Sequence, residues 1–127
     1  MQTWLISLAI AAGGALGALA RYWMSVWVQR VAGTDFPLGT LSVNVVGSLI
    51  LGFLYSWSLT RADSAPLVRS LLMVGFLGSF TTFSTFSVET LNLLTAGAFG
   101  KSLANIVLSV SIALVAASIG AWFGRTV

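Results

Sequence analysis

The sequence predicts an all-α membrane protein of four transmembrane helices, on three observations. Of its 127 residues, 57% are hydrophobic and 7% are charged, whereas a soluble domain carries about a quarter charged residues. Four apolar stretches each approach or exceed the ~20 residues that a helix needs to cross a bilayer. Short segments rich in Gly, Pro and Asp separate them.

The first span runs over about 4–28 and the second over about 38–60. The third runs over about 67–94 and the fourth over about 102–123, so 1–127 reads as a single four-span membrane domain. The breakers are Ala32 to Pro37, Arg61 to Pro66, and Thr95 to Gly100. Trp4, Trp23, Trp27, Tyr55, Trp57 and Trp122 lie near span ends, where amphipathic rings sit at headgroup level. The opening Met1-Gln2-Thr3 has no basic run, so the apolar stretch behind it reads as a span and not as a cleaved leader.

Composition excludes several chemistries. There is no Cys and no His, and the acids are Asp35, Asp63 and Glu89. A metal hydrolase or a carboxylate-pair enzyme needs more ligands and proton carriers than these, so no enzyme is expected. The net charge of +3 is spread along the chain without a basic run, which fits lipid headgroups and anions and not nucleic acid.

With four spans both termini share a side. That side carries Arg61, Arg69 and Arg125; the other carries Arg30, Lys101 and, if it snorkels outward, Arg21. Lys/Arg bias sets orientation, and here it is balanced. The chain is expected to insert both ways, unless one loop dominates.

Within the first span, Gly13 and Gly17 form a GxxxG step suited to close helix packing. Arg21, one turn on, either lines an aqueous vestibule or snorkels to the surface. In the second span Thr40, Asn44, Gly47 and Ser48 make one helical stripe of small and polar groups. Asn44 serves either as an interhelical hydrogen bond or as a donor on an ion path. The fourth span repeats the pattern more weakly with Ser102, Asn105 and Ser109, continued by Ala113, Ala116 and Gly120.

The third span holds the main functional signal. Gly75, Gly78 and Ser79 predict a break in the helix near mid-membrane. Exposed carbonyls at that depth are tolerated only against protein, water or an ion. Beyond it Thr81, Thr82, Ser84, Thr85 and Ser87 alternate with Phe83 and Phe86. Phe80, Phe83 and Phe86 recur every third residue, which would keep them on one side of a continuous helix. Aromatic edges are positive, so they meet a small anion without the fixed charge that would hold it too tightly. Glu89 reads as a structural anchor beside hydroxyl donors, with a proton carrier as the alternative.

The run from Gly75 to Glu89 resembles the signature of the Fluc (CrcB) fluoride channel family. Gly39 to Gly47 and Gly14-x-x-Gly17-x-x-x-Arg21 resemble it too, so the likeness covers all four spans. It implies an antiparallel, dual-topology homodimer in a bacterial plasma membrane, with two fluoride pathways that protect the cell. It also implies a structural central Na⁺ held by the backbone carbonyls of Gly78 and Thr81. The matching pathway residues are Asn44, Phe83 and Phe86, with Thr40 and Ser109 on a polar track; Thr82, Ser84 and Arg21 join them as candidates. Ser79, Phe80, Asn105 and Ala113 depart from the common pattern. A bundle this small has no room for a pore of its own at ~8–10 Å helix spacing, so the path belongs at a subunit interface. Two rivals from other classes are a proton-coupled multidrug-type exporter and a non-transporting assembly factor. The first needs a carboxylate in its chamber; the second leaves the hydroxyl and Phe cluster unexplained.

Overall fold

The computed structural model describes residues 2–61 and 65–127. Residues 62–64 of the second breaker, Asp63 among them, therefore lie outside the described residues. The elements are α1 (Gln2–Ala32), α2 (Leu38–Leu59), α3 (Pro66–Arg69), a π-helical segment (Ser70–Leu77), α4 (Gly78–Phe80), α5 (Phe83–Thr95) and α6 (Phe99–Thr126). Four helical stretches are long and apolar enough to cross a membrane: α1, α2, the composite third span Pro66–Thr95, and α6.

Small residues decide which helices touch. A methyl group added at Gly13 would overlap the Leu71 carbonyl, and one at Gly17 the Phe76 carbonyl. The GxxxG step of α1 therefore seats the wide-turned π segment of the same chain, backbone against backbone. On the other side α2 lies against α6, where Gly120 meets the Leu49 carbonyl and Ala116 is buried. The Ala116 and Gly120 end of the α6 stripe is thus a packing seam with α2.

The large-residue core is small. Val43, Leu77 and Phe80 are buried together, and the Phe76 and Phe80 rings stack 6.0 Å apart. Most Leu, Ile, Val and Trp side chains face outward, as befits a protein whose solvent is lipid.

Polar groups finish the span ends. Arg69 donates to the Ser58 carbonyl at 3.2 Å and to its hydroxyl at 2.6 Å, placing a cation at the C-terminal end of α2, where the helix dipole favours it. The Arg61 guanidinium lies 4.9 Å from the Trp57 ring centre. Between α1 and α2 the Gln29 amide closes the turn. Its Nε2 donates to the carbonyls of Thr34 (2.6 Å) and Phe36 (3.0 Å), and its Oε1 accepts from Gly39 N–H at 3.0 Å. Lys101 reaches Asp35 at 3.8 Å on the same side of the bundle.

The third helix is broken, but later than the glycines predict. Gly75 and Gly78 are both helical, and Gly78 has φ −62° and ψ −33°. Gly75 is needed for contact, since a methyl there would press on the Ile10 carbonyl of α1. The chain leaves the helix at Thr81 (φ −84°, ψ 157°) and Thr82 (φ −150°, ψ 120°). That step also splits the expected row of phenylalanines: Phe80 turns into the core, while Phe83 is 77% exposed.

Candidate ion pathway

The break is held by side chains. Asn44 projects from α2 and pairs with both backbone groups of Thr82. Thr82 N–H donates to Asn44 Oδ1 at 2.7 Å, and Asn44 Nδ2 donates to the Thr82 carbonyl at 2.9 Å. The primary amide replaces a neighbouring strand for one residue, satisfying groups that hydrocarbon would leave bare. Thr82 then starts α5: its hydroxyl accepts from Thr85 N–H at 3.2 Å, as an N-cap does. The hydroxyls gather here, with Thr82 Oγ1 at 3.0 Å from Thr85 Oγ1 and 3.5 Å from Ser84 Oγ.

Of the pathway residues read from the sequence, one group lines a cavity of about 400 Å³ on an outer face of the bundle: Asn44, Thr82, Phe83, Phe86 and Ser109, joined by Thr81 and Ser48. The Phe83 and Phe86 rings are part of its wall, 5.5 Å apart and tilted by 49°. Asn44 spends one Nδ2 hydrogen and its oxygen on Thr82, so one N–H remains for a ligand in the cavity. Both sequence readings of Asn44, interhelical tie and donor, are compatible with this one geometry.

A second group lies on the other side of the break. Arg21, Ser25, Thr40, Thr82 and Thr85 line a cavity of about 230 Å³. It runs into a wider one of about 460 Å³ containing Asp35, Glu89 and Asn92, with Ser25, Thr40 and Thr85 common to both. Together they form a polar trough leading from the end of the bundle to Thr82. Thr40 donates to Glu89 Oε1 at 2.7 Å, which ties Glu89 across the helices. Glu89 Oε2 is buried without a partner. Thr40 thus sits with Arg21 and Glu89 and apart from Asn44 and Ser109.

The stripe on α6 is a strap. Asn105, 1% exposed, donates to Thr90 Oγ1 at 2.9 Å and accepts from Ser109 Oγ at 3.2 Å. Ser102 donates to the Thr90 carbonyl at 3.3 Å, and Thr90 Oγ1 donates to the Phe86 carbonyl at 2.7 Å. This strap ties α6 to α5 and fixes the strand of contacts that carries Phe86. Thr90 stands in no sequence motif, and Thr85 is marked only as one hydroxyl of the third-span run. What signal there is for their roles is spacing alone: Thr90 follows Phe86 by one turn, and Thr85 follows Thr82 by an N-cap interval.

Among the described residues no three His, Cys, Asp or Glu side chains cluster to hold a metal.

Comparison with known proteins points to one family. The family model described as CrcB-like protein, Camphor Resistance (CrcB), matches residues 8–121. A fluoride-specific ion channel FluC of Hahella chejuensis is 48% identical over 111 residues, 87% of each chain. The protein of that name in a Sulfurovum species is 48% identical over 120 residues, 94% of this chain and 93% of its own. The one in Coxiella burnetii is 44% identical over 126 residues, 98% of both.

Proposed function

The chain belongs to the CrcB family, and from that premise we propose that it is a passive, fluoride-selective channel through which a bacterial cell loses fluoride. The observation that carries the proposal is the open cavity at the break. It brings the rings of Phe83 and Phe86, the amide of Asn44 and the hydroxyl of Ser109 onto one surface. The ring edges and the amide N–H are weak, neutral donors, and the Ser109 hydroxyl, whose hydrogen goes to Asn105 Oδ1, turns to the ion by giving up that bond. Fluoride is strongly hydrated, and each donor replaces part of its water without a fixed charge that would trap it. The names of the relatives speak for a fluoride channel and not for the multidrug-type exporter.

The polar trough is the proposed approach to the path. Arg21 draws the anion inward by its field. Thr40, Thr82 and Thr85 place hydroxyls along its wall, and Thr40 keeps Glu89 tethered; Ser84 is exposed beside Thr82, outside both cavities. Fluoride enters cells as HF, dissociates in the more alkaline interior and is trapped there. A passive pore lets the membrane potential expel it.

The working unit is an antiparallel homodimer with dual topology. Its support is the balance of basic residues on the two sides and the exposure of Phe83. A single chain leaves the cavity open on one side, and a second copy would close it. The two breaks then meet on an axis in the membrane plane. Carbonyls of Gly78 and Thr81 from both copies would hold a structural Na⁺ there. The donor set fits: it is all oxygen and uncharged, and Na⁺ is a hard ion. Such an ion supplies positive charge that satisfies carbonyls otherwise bare at mid-membrane.

Fluoride efflux from proteoliposomes under a K⁺ gradient with valinomycin tests the function, with chloride as control. Fluoride flux without chloride flux is the expected result. Equal flux of both anions, or none of either, overturns it.

A further inference from the structure

In an uninterrupted α-helix each N–H bonds to the carbonyl four residues earlier. Near the break two N–H groups are diverted to side chains. Thr82 N–H, whose helical partner would be the Gly78 carbonyl, goes to Asn44 Oδ1 at 2.7 Å. Thr85 N–H, whose helical partner would be the Thr81 carbonyl, goes to Thr82 Oγ1 at 3.2 Å. The diversion begins abruptly. One residue before Gly78, the Leu77 carbonyl still accepts from Thr81 N–H and from the Thr81 hydroxyl, each at 3.1 Å.

We infer that Asn44 and Thr82 are positioning residues for the central cation: their side chains take up the two N–H groups that would otherwise occupy the Gly78 and Thr81 carbonyls, and so leave those oxygens free to bind. The inference rests on the proposed Na⁺ site and deepens it by naming what creates its ligands. Asn44 acts from α2, 38 residues away in sequence, and its second bond, to the Thr82 carbonyl at 2.9 Å, pins the residue from both ends. The arm is short. Gly47, nearly one turn on, lies so close that a methyl there would overlap the Thr81 side chain and press on the Phe80 ring. The α2 backbone is thus seated on the break, and the Asn44 amide has little freedom to withdraw. Thr82 acts locally, through the cap of α5. Each side chain frees one carbonyl per subunit, so in a two-fold dimer each governs two of four ligands.

This separates two roles for Asn44. Its acceptor oxygen serves the cation site, while its donor nitrogen serves the Thr82 carbonyl and the anion path. Asn44→Asp keeps the first role, and Asn44→Leu loses both. Likewise Thr82→Ser keeps the cap and Thr82→Val removes it at similar size.

The experiment follows thermal unfolding of the purified dimer by Trp fluorescence, with Na⁺ replaced stepwise by N-methylglucamine at constant ionic strength. The wild-type midpoint rises with Na⁺. Asn44→Leu and Thr82→Val need about tenfold more Na⁺ or higher for half the effect, because two ligands are lost to helical hydrogen bonds. Thr82→Ser stays within about twofold of wild type, since it keeps its acceptor oxygen, and Asn44→Asp lies between wild type and Asn44→Leu, since it keeps the acceptor for Thr82 N–H but sets a carboxylate oxygen against the Thr82 carbonyl. Equal Na⁺ dependence in all five proteins overturns the inference and leaves the cation site standing. A wild type indifferent to Na⁺ overturns the cation site itself and the inference with it. Should Asn44→Leu fail to assemble, the Thr82→Val and Thr82→Ser pair decides.

Discussion

Replacing Asn105 by Leu tests whether the α6 stripe is a strap. The substitution keeps approximate size at a site that is 1% exposed and removes two hydrogen bonds, to Thr90 Oγ1 and from Ser109 Oγ. Each is worth about 0.5–1.5 kcal/mol net, and bonds between membrane helices average nearer 0.6. The orphaned hydroxyls have fallbacks. Thr90 already donates to the Phe86 carbonyl, and Ser109 can turn to the carbonyl of residue 105, one helical turn back. No polar atom is left stranded, so the cost is about 1–2 kcal/mol, a factor of about 5–30 in the folding equilibrium. Ser109 pays for its new bond by leaving the cavity wall, so fluoride flux falls in part while selectivity is kept. Unfolding of the purified dimer followed by Trp fluorescence gives the stability, and proteoliposome efflux gives the flux. Wild-type stability together with wild-type flux would refute the strap. A loss well above the two-bond range would show that the hydroxyls have no fallback.

Phe83→Ile and Phe86→Ile keep apolar bulk but remove the ring edge, and each is expected to cut fluoride flux severely while the dimer still elutes as one species; wild-type flux in both returns the rings to simple packing. Asn44→Asp is expected to abolish flux by placing an acceptor where the anion needs a donor, whereas Ser109→Ala should be milder because other hydroxyls remain; the reverse order would show the two stripes ranked wrongly. The sequence has no cysteine, so Ala96→Cys gives a single label site in the turn before α6. Labelling of about half the protein from outside intact cells fits a balanced Lys/Arg distribution, and labelling wholly from one side defeats dual topology.

The four spans were legible in the sequence because lipid imposes a simple rule: about twenty apolar residues, then a breaker. The hydroxyl and Phe run of the third span was legible for a similar reason, since packing in hydrocarbon does not call for five hydroxyls in seven residues. The place of the break was not. Gly75 and Gly78 suggest it by their local preference, but Gly75 is spent on contact with α1. The break falls at two threonines because Asn44, far away in the chain, takes the Thr82 backbone. Non-local capture leaves no trace in a local pattern. The same holds for Thr40 and Glu89, which are 49 residues apart and meet across helices, and for Asn105, whose partner Thr90 lies on the other arm of the α5–α6 turn. Periodicity placed these side chains on faces; only the packing of the faces decides which of them meet.

In the proposed dual-topology dimer the turn between α1 and α2 works in two different waters. In an antiparallel pair one copy of it faces the cytoplasm, reducing and buffered, while the other faces whatever acidity and oxidation the surroundings bring. Its closure by Gln29 suits that double duty. A carboxamide carries no proton to gain or lose near neutral pH and no thiol to oxidise, and it binds three backbone groups of its own turn. The fastening is therefore the same on either face of the membrane. A latch made with histidine or with a disulfide would hold one copy and slacken the other, and a symmetric assembly would become lopsided with every change in the weather outside the cell.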